Sequence, residues 1–425
     1  MPPLPIEPIL PELHAALVRS SSAVLQAPPG AGKTTLVPLA LLDEPWLAGK
    51  KIVMLEPRRL AARAAATRMA ELSNDPVGGL VGYRIRRDTK VGPKTRIEVV
   101  TEGVLTRIIQ HDPALEAYGL VIFDEFHERS LPGDLGLALT LQTQALLRPD
   151  LRILVMSATL DGAPVSALLG DAPIVTSEGK SFPVETCWIP RRADQRVEAA
   201  MAAAIRQALD HHDGDVLAFL PGAGEIRRTQ QMLGEGPFTV DRSPFTDVIP
   251  LFGMLPQREQ DRAIRPSPAG QRKVVLATSI AETSLTIEGV RVVIDSGLSR
   301  VPRFSPASGM TRLTTVRVSR ASADQRRGRA GRTAPGTCYR LWAQAEEPGL
   351  IPRTTPEILE ADLAPLALDL AAQGIAEPGT LRWLDPPPAG AYAHARELLR
   401  EVGAVDDAGR ITDHGRAVAL LPVHP

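Results

Sequence analysis

Short apolar runs alternate with stretches of helical pattern over the first 170 residues, and a second series of the same kind begins near Pro183. Apolar runs of this length, each followed by turn or helix residues, indicate buried parallel strands joined by helical crossovers. The pattern therefore predicts an α/β protein with two parallel sheets. The predicted strands are residues 22–26, 51–55, 96–100, 120–123 and 152–156 in the first series, and 216–220, 248–251, 273–277 and 291–294 in the second.

A glycine-rich turn at residues 27–35 (APPGAGKTT) follows the first predicted strand and leads into a predicted helix. A polyphosphate site needs converging backbone N–H groups, a cation for the β- and γ-phosphates, and a hydroxyl for Mg²⁺. Gly30 and Gly32 allow the backbone N–H groups to converge, Lys33 is the cation, and Thr34 provides the hydroxyl. Ala27 stands where the general pattern has glycine. The alternative is an ordinary glycine-rich turn between a strand and a helix. The residues expected to bind nucleotide in this loop are Pro29, Gly30, Ala31, Gly32, Lys33, Thr34 and Thr35.

An acidic pair, Asp124 and Glu125, follows the predicted strand at 120–123. Because the carboxyl ends of parallel strands meet at one edge of a sheet, these carboxylates are expected beside the phosphate loop. We expect Thr34, Asp124 and Glu125 to hold Mg²⁺, and Glu125 to orient and deprotonate an attacking water. Taken alone, a charged strand end would be an equally good interpretation. The HExxH pattern of metalloproteases is absent from the sequence.

Composition limits the class of protein further. A length of 425 residues suggests about three domains, and 44% apolar with 23% charged residues excludes disordered and collagen-like chains. No apolar run approaches the roughly 20 residues of a membrane span, and the first residues lack the features of a signal peptide. The two cysteines, Cys187 and Cys338, are too few for a disulfide framework or a zinc cluster. We therefore expect a cytoplasmic protein without a membrane partner.

The net charge is −1, but its distribution is uneven. Residues 291–332 contain ten arginines against two aspartates, whereas residues 333–425 contain seven arginines against thirteen acidic residues. A basic stretch in a neutral chain favours a localised polyanion site. A solvated surface with ion pairs is the alternative.

Together these residues resemble the DEAH/RHA branch of the superfamily-two helicases, most closely its bacterial HrpB helicases. The similarity covers almost the whole chain in eight ordered matches. Phe126 replaces the alanine of the family's motif II, a side chain without a chemical role. The matches are motif I at 27–35, motif Ia at 56–62 with a following stretch at 81–88, motif Ib at 101–107, motif II at 124–129, motif III at 157–160, motif V at 277–287 and motif VI at 325–332.

Motif VI carries arginines three residues apart, Arg329 and Arg332, which would project from one face of a helix. Two guanidiniums suit the charge of a transferring phosphoryl group, so we expect arginine fingers, with Gln325 helping to hold the water. Gly328 and Gly331 disfavour a helix and are explained if another backbone approaches closely. A basic surface helix is the alternative. The expected catalytic residues are Lys33, Glu125, Gln325, Arg329 and Arg332.

Three residues are expected to couple the nucleotide site to the rest of the protein. The hydroxyls of Ser157 and Thr159 are placed to bond to the acidic pair and report the γ-phosphate state, unless they only end a polar strand. His127 is expected at the boundary with the second lobe.

The resemblance also implies a nucleic-acid path along the sugar-phosphate backbone, with little sequence preference. The expected contacts are Arg58, Arg59, Thr101, Gly222, Thr278, Ser279 and Thr283. Residues 300–320 are predicted to form a β-hairpin around Ser308-Gly309, and the family carries a strand-separating hairpin there. A purely structural ribbon is the alternative.

By family position, Arg68 should stack on the nucleotide base, with Leu298 beneath it. Residues 4–19 contain no glutamine-bearing base-recognition motif. The nucleotide base is therefore expected to be bound without recognition of the hydrogen-bonding groups on its edge.

The fold class predicted is α/β: two tandem RecA-like parallel-sheet domains of the P-loop NTPase type at 1–172 and 173–345, then a small winged-helix domain at 346–425 where the chain looks truncated. We expect a monomeric ATP-dependent helicase, with ATP and Mg²⁺ as cofactors, moving 3′-to-5′ on single-stranded RNA. Open alternatives are a DNA or ribonucleoprotein-remodelling translocase and a nucleotide-gated RNA-binding scaffold with slow turnover. A P-loop kinase is disfavoured because one lobe would suffice for it. The sequence identifies no protein partner.

Overall fold

The structure, a computed structural model, describes residues 4–158, 162–179, 182–234, 246–282, 287–305 and 309–420. The chain divides into two compact units. The first consists of Met1–Gly179, Arg303–Thr311 and Thr355–Pro425, and the second of Lys180–Pro302 and Arg312–Thr354.

The first unit is built on an eight-stranded sheet among the described residues. Its strands are β1 (Ser22–Gln26), β2 (Lys51–Glu56), β3 (Val81–Ile85), β4 (Asp88–Lys90), β5 (Ile97–Thr101), β6 (Tyr118–Phe123), β7 (Arg152–Ser157) and β8 (Ile174–Thr176). They lie in the order β4-β3-β5-β2-β6-β7-β1-β8. The β3–β4 pair is antiparallel, and the other neighbours are parallel.

Helices cover both faces of this sheet because its strands are apolar on both sides. Leu120 and Ile122 of β6 face one core, and Val121 and Phe123 face the other. The connecting helices are α1 (Leu10–Arg19), α2 (Lys33–Ala40), α3 (Arg59–Leu72), α4 (Glu102–His111), α5 (Leu131–Leu146) and α6 (Gly162–Leu168). Helices α1 to α3 pack in the first of these cores, and α4 and α5 in the second.

The second unit contains a six-stranded parallel sheet in the order β11-β12-β10-β13-β16-β9 among the described residues. Its strands are β9 (Val184–Trp188), β10 (Asp215–Phe219), β11 (Thr246–Leu251), β12 (Arg272–Ala277), β13 (Val290–Asp295) and β16 (Gly336–Arg340). Its helices are α7 (Val197–His211), α8 (Ala223–Gly234), α9 (Gln257–Ile264) and α10 (Arg320–Gly328).

The predicted hairpin is present as a separate two-stranded sheet of β14 (Leu298–Ser305) and β15 (Met310–Arg317). β15 is exposed along almost its whole length, and the residues of β14 are half-buried or exposed. Residue 308 of the expected turn lies outside the described residues, whereas Gly309 is described with φ +60°.

The C-terminal segment continues the first unit with α11 (Ala364–Ala372), α12 (Ala389–Glu401) and α13 (Asp413–Leu420). An antiparallel bridge joins Val405 to Ile411 between the last two helices. The side chains of Ile358, Leu366, Leu370 and Leu399 are buried in the core that also contains Phe126 and Leu131. This segment therefore packs behind the loop that carries the acidic pair.

All nine strands predicted from apolar runs are confirmed, with ends shifted by at most two residues. One strand that the apolar runs do not predict, β8 (Ile174–Thr176), pairs with β1. A single buried residue, Val175, in an otherwise exposed strand left little apolar signal. Among the described residues, no helix is both long and apolar enough to cross a membrane.

Candidate active site

The glycine-rich loop joins β1 to α2 at the carboxyl edge of the first sheet. Gly30 and Gly32 have φ values of +84° and +95°, in the left-handed region that favours glycine. A Cβ atom at Gly32 would also lie 2.8 Å from Leu4 Cδ1. The side chain of Ala27 is 2% exposed and packs in the apolar core, which explains why alanine is accommodated at the loop's first position.

The structure brings this loop and the acidic pair together. Lys33 Nζ lies 2.7 Å from Glu125 Oε1 and 4.0 Å from Asp124 Oδ1. Thr34 Oγ1 donates to Asp124 Oδ2 at 2.5 Å. β7 separates β1 from β6 in the sheet, so residues about 90 positions apart meet because both strands end at the same edge.

Burial shapes the electrostatics of this cluster. Burial alone would lower the pKa of Lys33, but the carboxylates of Glu125 and Asp124 outweigh it and raise the pKa. Burial raises the pKa of Asp124, while Lys33 opposes the rise. Glu56, at the end of β2, has a pKa well above its ordinary value, first because of burial and then because of the charge on Asp124.

Three carboxyl groups around one lysine, those of Glu56, Asp124 and Glu125, provide more oxygen ligands than the ammonium group of Lys33 can pair with. A hydroxyl and a carboxylate already in contact, Thr34 and Asp124, are the hard ligands that Mg²⁺ prefers when phosphates and waters complete its shell. The donor set therefore fits Mg²⁺.

The backbone of the motif II loop is strained at both ends. Glu125 and Arg129 both have φ +50° in the left-handed region, which non-glycine residues rarely adopt. Such residues store about 1–3 kcal/mol each and cluster at functional sites. Glu125 N donates to Asp124 Oδ1 at 2.8 Å, and Glu128 N donates to Glu125 O at 2.9 Å.

His127 contacts two parts of the first unit. Its Nδ1 accepts a hydrogen bond from Ala158 N at 3.3 Å, and its Nε2 lies 3.4 Å from Glu125 Oε2. Ser157, buried at the end of β7, accepts from Ala27 N through its carbonyl at 3.0 Å. These contacts join the motif II loop, motif III and the phosphate loop. Thr159 lies outside the described residues.

In the second unit, motif VI departs from the single helix expected. Helix α10 ends at Gly328, and Arg329–Gly331 forms a turn of 3₁₀-helix. Arg329 is buried and its Nε donates to Glu282 O at 2.9 Å, while Arg332 is half-buried. Gln325 is half-buried on α10.

The two motif VI glycines differ. A Cβ atom at Gly331 would lie 2.6 Å from the carbonyl oxygen of Phe182, which confirms the close backbone approach expected there. At Gly328 the corresponding position is open within the described residues, so that explanation does not extend to it.

Arg326 is a further motif VI residue that sequence reasoning missed. Its side chain is 1% exposed, with Nη1 2.7 Å from Asp295 Oδ1 and Nε 3.1 Å from Glu282 Oε2. Although burial would lower the pKa of Arg326, these carboxylates raise it. Arg326 thus ties motif VI to the end of β13 and to motif V. The signal available was its position three residues before Arg329.

The residues expected to contact nucleic acid follow the carboxyl ends of strands in both units. In the first unit, Arg58 pairs with Glu128 (Nη2 to Oε2, 3.2 Å), Arg59 is exposed at the start of α3, and Thr101 ends β5.

In the second unit, Gly222 follows β10 and is buried, and a Cβ there would lie 2.5 Å from Arg300 Nη1. Thr278 and Ser279 follow β12. Thr283 lies outside the described residues.

The two residues expected at the nucleotide base lie on different units. Arg68 is exposed on α3 and pairs with Glu71 at 3.0 Å. Leu298 is half-buried at the start of β14, and its carbonyl accepts from Arg326 Nη1 at 3.1 Å.

A phosphate loop and an acidic pair at the edge of one parallel sheet, with an arginine-rich motif in a second parallel-sheet unit, are the arrangement found in the tandem P-loop domains of helicases. Residues 9–168 match the DEAD/DEAH box helicase family, and residues 200–334 match the helicase conserved C-terminal domain. The chain belongs to the DEAD/DEAH box helicases, and its two parallel sheets are tandem helicase domains.

Two curated relatives are similar over essentially the whole chain. The Escherichia coli ATP-dependent RNA helicase HrpB is 49% identical over 427 residues, which are 100% of this chain and 52% of the relative. The Schizosaccharomyces pombe pre-mRNA-splicing factor ATP-dependent RNA helicase prp22 is 38% identical over 425 residues, which are 99% of this chain and 36% of the relative. The chain thus spans about half the length of the first relative and about a third of the second.

Two solved structures are similar as well. A crystal structure of E. coli DEAH/RHA helicase HrpB superposes with a TM-score of 0.91 at 49% identity, covering 98% of this chain and 52% of that one. A structure of the E. coli DExH-box NTPase HrpB gives a TM-score of 0.86 at 49% identity, covering 99% and 51%. The resemblance stated from the motifs is confirmed.

Proposed function

We propose that this chain is an ATP-dependent RNA helicase engine, which hydrolyses ATP with Mg²⁺ to move along single-stranded RNA. The observation that carries the proposal is the buried contact of Lys33 with Glu125 and of Thr34 with Asp124. The names of the relatives, both ATP-dependent RNA helicases, support ATP and RNA as substrates.

Each residue of the loop and acidic pair has a distinct task in this proposal. The backbone N–H groups of residues 29–35 bind phosphate oxygens, and Lys33 neutralises charge on the β- and γ-phosphates. Thr34, Asp124 and Glu125 hold Mg²⁺, which supplies charge stabilisation to the phosphate oxygens. Glu125 orients the attacking water and accepts its proton.

The Lys33–Glu125 contact suggests an order of events. At 2.7 Å the lysine occupies one oxygen of the carboxylate that should act as base. An incoming triphosphate competes for Lys33, so its binding releases Glu125 to accept a hydrogen bond from water. Glu125 therefore stays paired with Lys33 until nucleotide binds, and becomes available as a base only when the substrate is present.

Motif VI completes the chemistry. Arg329 and Arg332 act as arginine fingers on the transferring phosphoryl group, and Gln325 helps to hold the water. His127, Ser157 and Thr159 couple the nucleotide state to the RNA site. The contact of Ala158 N with His127 Nδ1 supports the coupling, because it joins motif III to the motif II loop.

The protein contacts the sugar-phosphate backbone of the RNA and moves along it 3′-to-5′. The contacting residues are Arg58, Arg59, Thr101, Gly222, Thr278, Ser279 and Thr283. The exposed β14–β15 hairpin separates strands. Arg68 and Leu298 hold the nucleotide base. A DNA or ribonucleoprotein-remodelling translocase and a slowly hydrolysing RNA-binding scaffold are the competing functions, and the intact Lys33–Glu125 contact favours an active enzyme over the scaffold.

The domain organisation proposed is a RecA-like domain at 1–172, a second at 173–345, and a winged-helix-like domain at 346–425. Three helices and the Val405–Ile411 bridge support the third assignment. The protein is proposed to act as a monomer in the cytoplasm.

Steady-state ATP hydrolysis with and without poly-RNA or single-stranded DNA tests the proposal, at fixed salt because phosphate contacts make affinity salt-dependent. Stimulation by RNA is expected. Stimulation by DNA alone would favour the DNA translocase, and RNA binding without turnover would favour the scaffold. Duplexes with a single-stranded 3′ or 5′ overhang test polarity, and unwinding only from a 5′ overhang would contradict the direction proposed.

A further inference from the structure

The C-terminal segment holds the end of the motif II loop through two backbone contacts. Glu357 N donates to the carbonyl oxygen of Arg129 at 3.0 Å. The side chain of Glu357 returns the contact, since its Oε2 accepts from Leu131 N at 2.9 Å. Both partners flank Ser130, the N-cap of α5. A residue more than 220 positions away therefore brackets the junction between motif II and α5.

The side chain of Arg129 is fixed from two directions. Its Nε and Nη2 donate to the two carboxylate oxygens of Asp134, each at 3.1 Å. The same Nη2 lies 2.8 Å from Asp385 Oδ2, in the C-terminal segment. The Arg129 side chain is only 10% exposed, so these charge-assisted contacts are shielded from solvent more than those of a surface pair.

Apolar packing reinforces these polar contacts. Ile358, next to Glu357, is fully buried in the same core as Phe126 and Leu131. The Arg129 guanidinium carbon lies 5.8 Å from the centre of the Phe126 ring. The C-terminal segment and the motif II loop thus share a hydrogen bond through the backbone and contribute apolar side chains to one core.

Because the motif II loop is short, holding Arg129 in place also restricts the position of Glu125 in the acidic pair. Glu125 and Arg129 are four residues apart, and both have φ +50°. Glu128 N bonds to Glu125 O at 2.9 Å, and Arg129 N bonds to Phe126 O at 3.1 Å, which leaves little freedom between them. A left-handed non-glycine residue persists only where its surroundings hold it. Releasing Arg129 would let the loop relax and move the Glu125 carboxylate.

We propose that Arg129 is a positioning residue for Glu125, and that the C-terminal segment sets this position through Glu357 and Asp385. The segment therefore helps to set the geometry of the hydrolytic site, although none of its side chains is proposed to contact the nucleotide. The inference rests on the proposed function for its kinetic consequence, but its structural consequence is independent of activity.

The test compares the double variant Glu357→Ala/Asp385→Ala and the single variant Asp385→Asn with the wild-type chain. The matched control is Glu377→Ala, which removes the ion pair with Arg396 (2.6 Å) in the same segment but away from motif II. Hydrogen exchange of the amides of residues 126–129 is measured by mass spectrometry, together with kcat and KM for ATP at saturating RNA.

Faster exchange at residues 126–129 is expected in both test variants and not in the control. We also expect kcat to fall about tenfold in the double variant, with KM within about twofold, because a small misplacement of a catalytic group lowers the chemical step. Asp385→Glu should restore wild-type exchange and kcat.

Wild-type exchange and kcat in both test variants would overturn the inference. If the double variant does not fold, Asp385→Asn decides, since Asp385 is 39% exposed and its substitution leaves the core intact. If the wild-type chain hydrolyses no ATP, the proposed function fails, while the exchange comparison still decides the positioning role.

Discussion

Lys33 and Glu125 are in contact in the proposed nucleotide site, but replacing them should have different effects on nucleotide binding and hydrolysis. Lys33→Ala removes the charge that binds the β- and γ-phosphates, so both nucleotide affinity and turnover should be lost. Glu125→Gln keeps the side chain's shape and should retain nucleotide while losing hydrolysis. Equilibrium titration with a fluorescent ATP analogue separates the two. Lys50→Ala, at a partly exposed lysine paired with Asp150, is the control and should behave as wild type.

The motif VI arginines divide into two proposed arginine fingers, Arg329 and Arg332, and a buried structural residue, Arg326. Arg329→Ala and Arg332→Ala should each lower kcat by on the order of 10³. Arg332→Ala should change stability little, whereas Arg329→Ala also removes the hydrogen bond from Arg329 Nε to Glu282 O. Arg326→Ala instead leaves Asp295 and Glu282 without their buried partner and should destabilise the second unit by about 3–5 kcal/mol. Thermal unfolding and single-turnover hydrolysis distinguish these results. Near-normal RNA-stimulated turnover in a finger variant would remove that arginine from the mechanism.

The preference between ATP and GTP should depend on the two residues proposed to hold the nucleotide base. An arginine and a leucine, Arg68 and Leu298, would contact the faces of a purine without hydrogen-bonding its edge. Discrimination is steep only where edge groups are read. We expect kcat/KM for GTP within about tenfold of that for ATP, a gap of about 1.4 kcal/mol or less. A hundredfold preference for ATP in competing titrations would show that another group reads the adenine edge.

At the scale of elements, the starts of α4 and α5 share a half-buried acidic group, Glu102. Burial raises the pKa of Glu102 to about 8, while the Ser130 hydroxyl bonded to it lowers the pKa and the charge on Glu128 raises it. A carboxyl group with a raised folded pKa stabilises the fold fully below its unfolded pKa and loses that contribution as the pH rises through its folded value. Glu102 should therefore favour folding near pH 4.5 and have lost this contribution above pH 8.

Glu102→Gln tests this prediction because the amide cannot ionise. The free energy of unfolding of this variant should rise relative to wild type as the pH increases from about 5 to 8.5. Urea denaturation at several pH values measures the difference. A difference that stays constant over this range would mean that Glu102 does not titrate as its burial implies.

The same elements show what sequence reasoning could reach. β1, β2, β6 and β7 were predictable because each is a continuous apolar run buried on both faces. β9 (VETCW) and β16 (GTCYR) mix polar with apolar residues and contain no continuous apolar run, so their own pattern was weak. They are placed by pairing in the sheet, where β16 lies between β13 and β9.

The candidate site divides in a similar way. The phosphate loop and the acidic pair were predictable because each directly follows a predicted strand. Arg326 was missed because its partners, Asp295 and Glu282, are 31 and 44 residues away and only the fold brings them together. The Glu357–Leu131 contact spans 226 residues and has no signature in the sequence.

At the scale of the whole molecule, the chain contains two tandem helicase domains, each built on a parallel sheet, and a C-terminal segment that packs with the first. The relatives extend well beyond the length of this chain. The proposed ATP hydrolysis and movement on RNA are therefore activities of the two helicase domains and the C-terminal segment in these 425 residues.

RNA-stimulated ATP turnover by the wild-type chain and by Glu125→Gln, measured at one salt concentration, tests the central claim most directly. We predict that poly-RNA increases the wild-type kcat, and that Glu125→Gln binds ATP with wild-type affinity but hydrolyses it at least about a hundredfold more slowly. If Glu125→Gln kept most of the wild-type turnover, the role of Glu125 as the base would be wrong. If RNA left the wild-type rate unchanged, the proposed coupling of this site to RNA would be wrong.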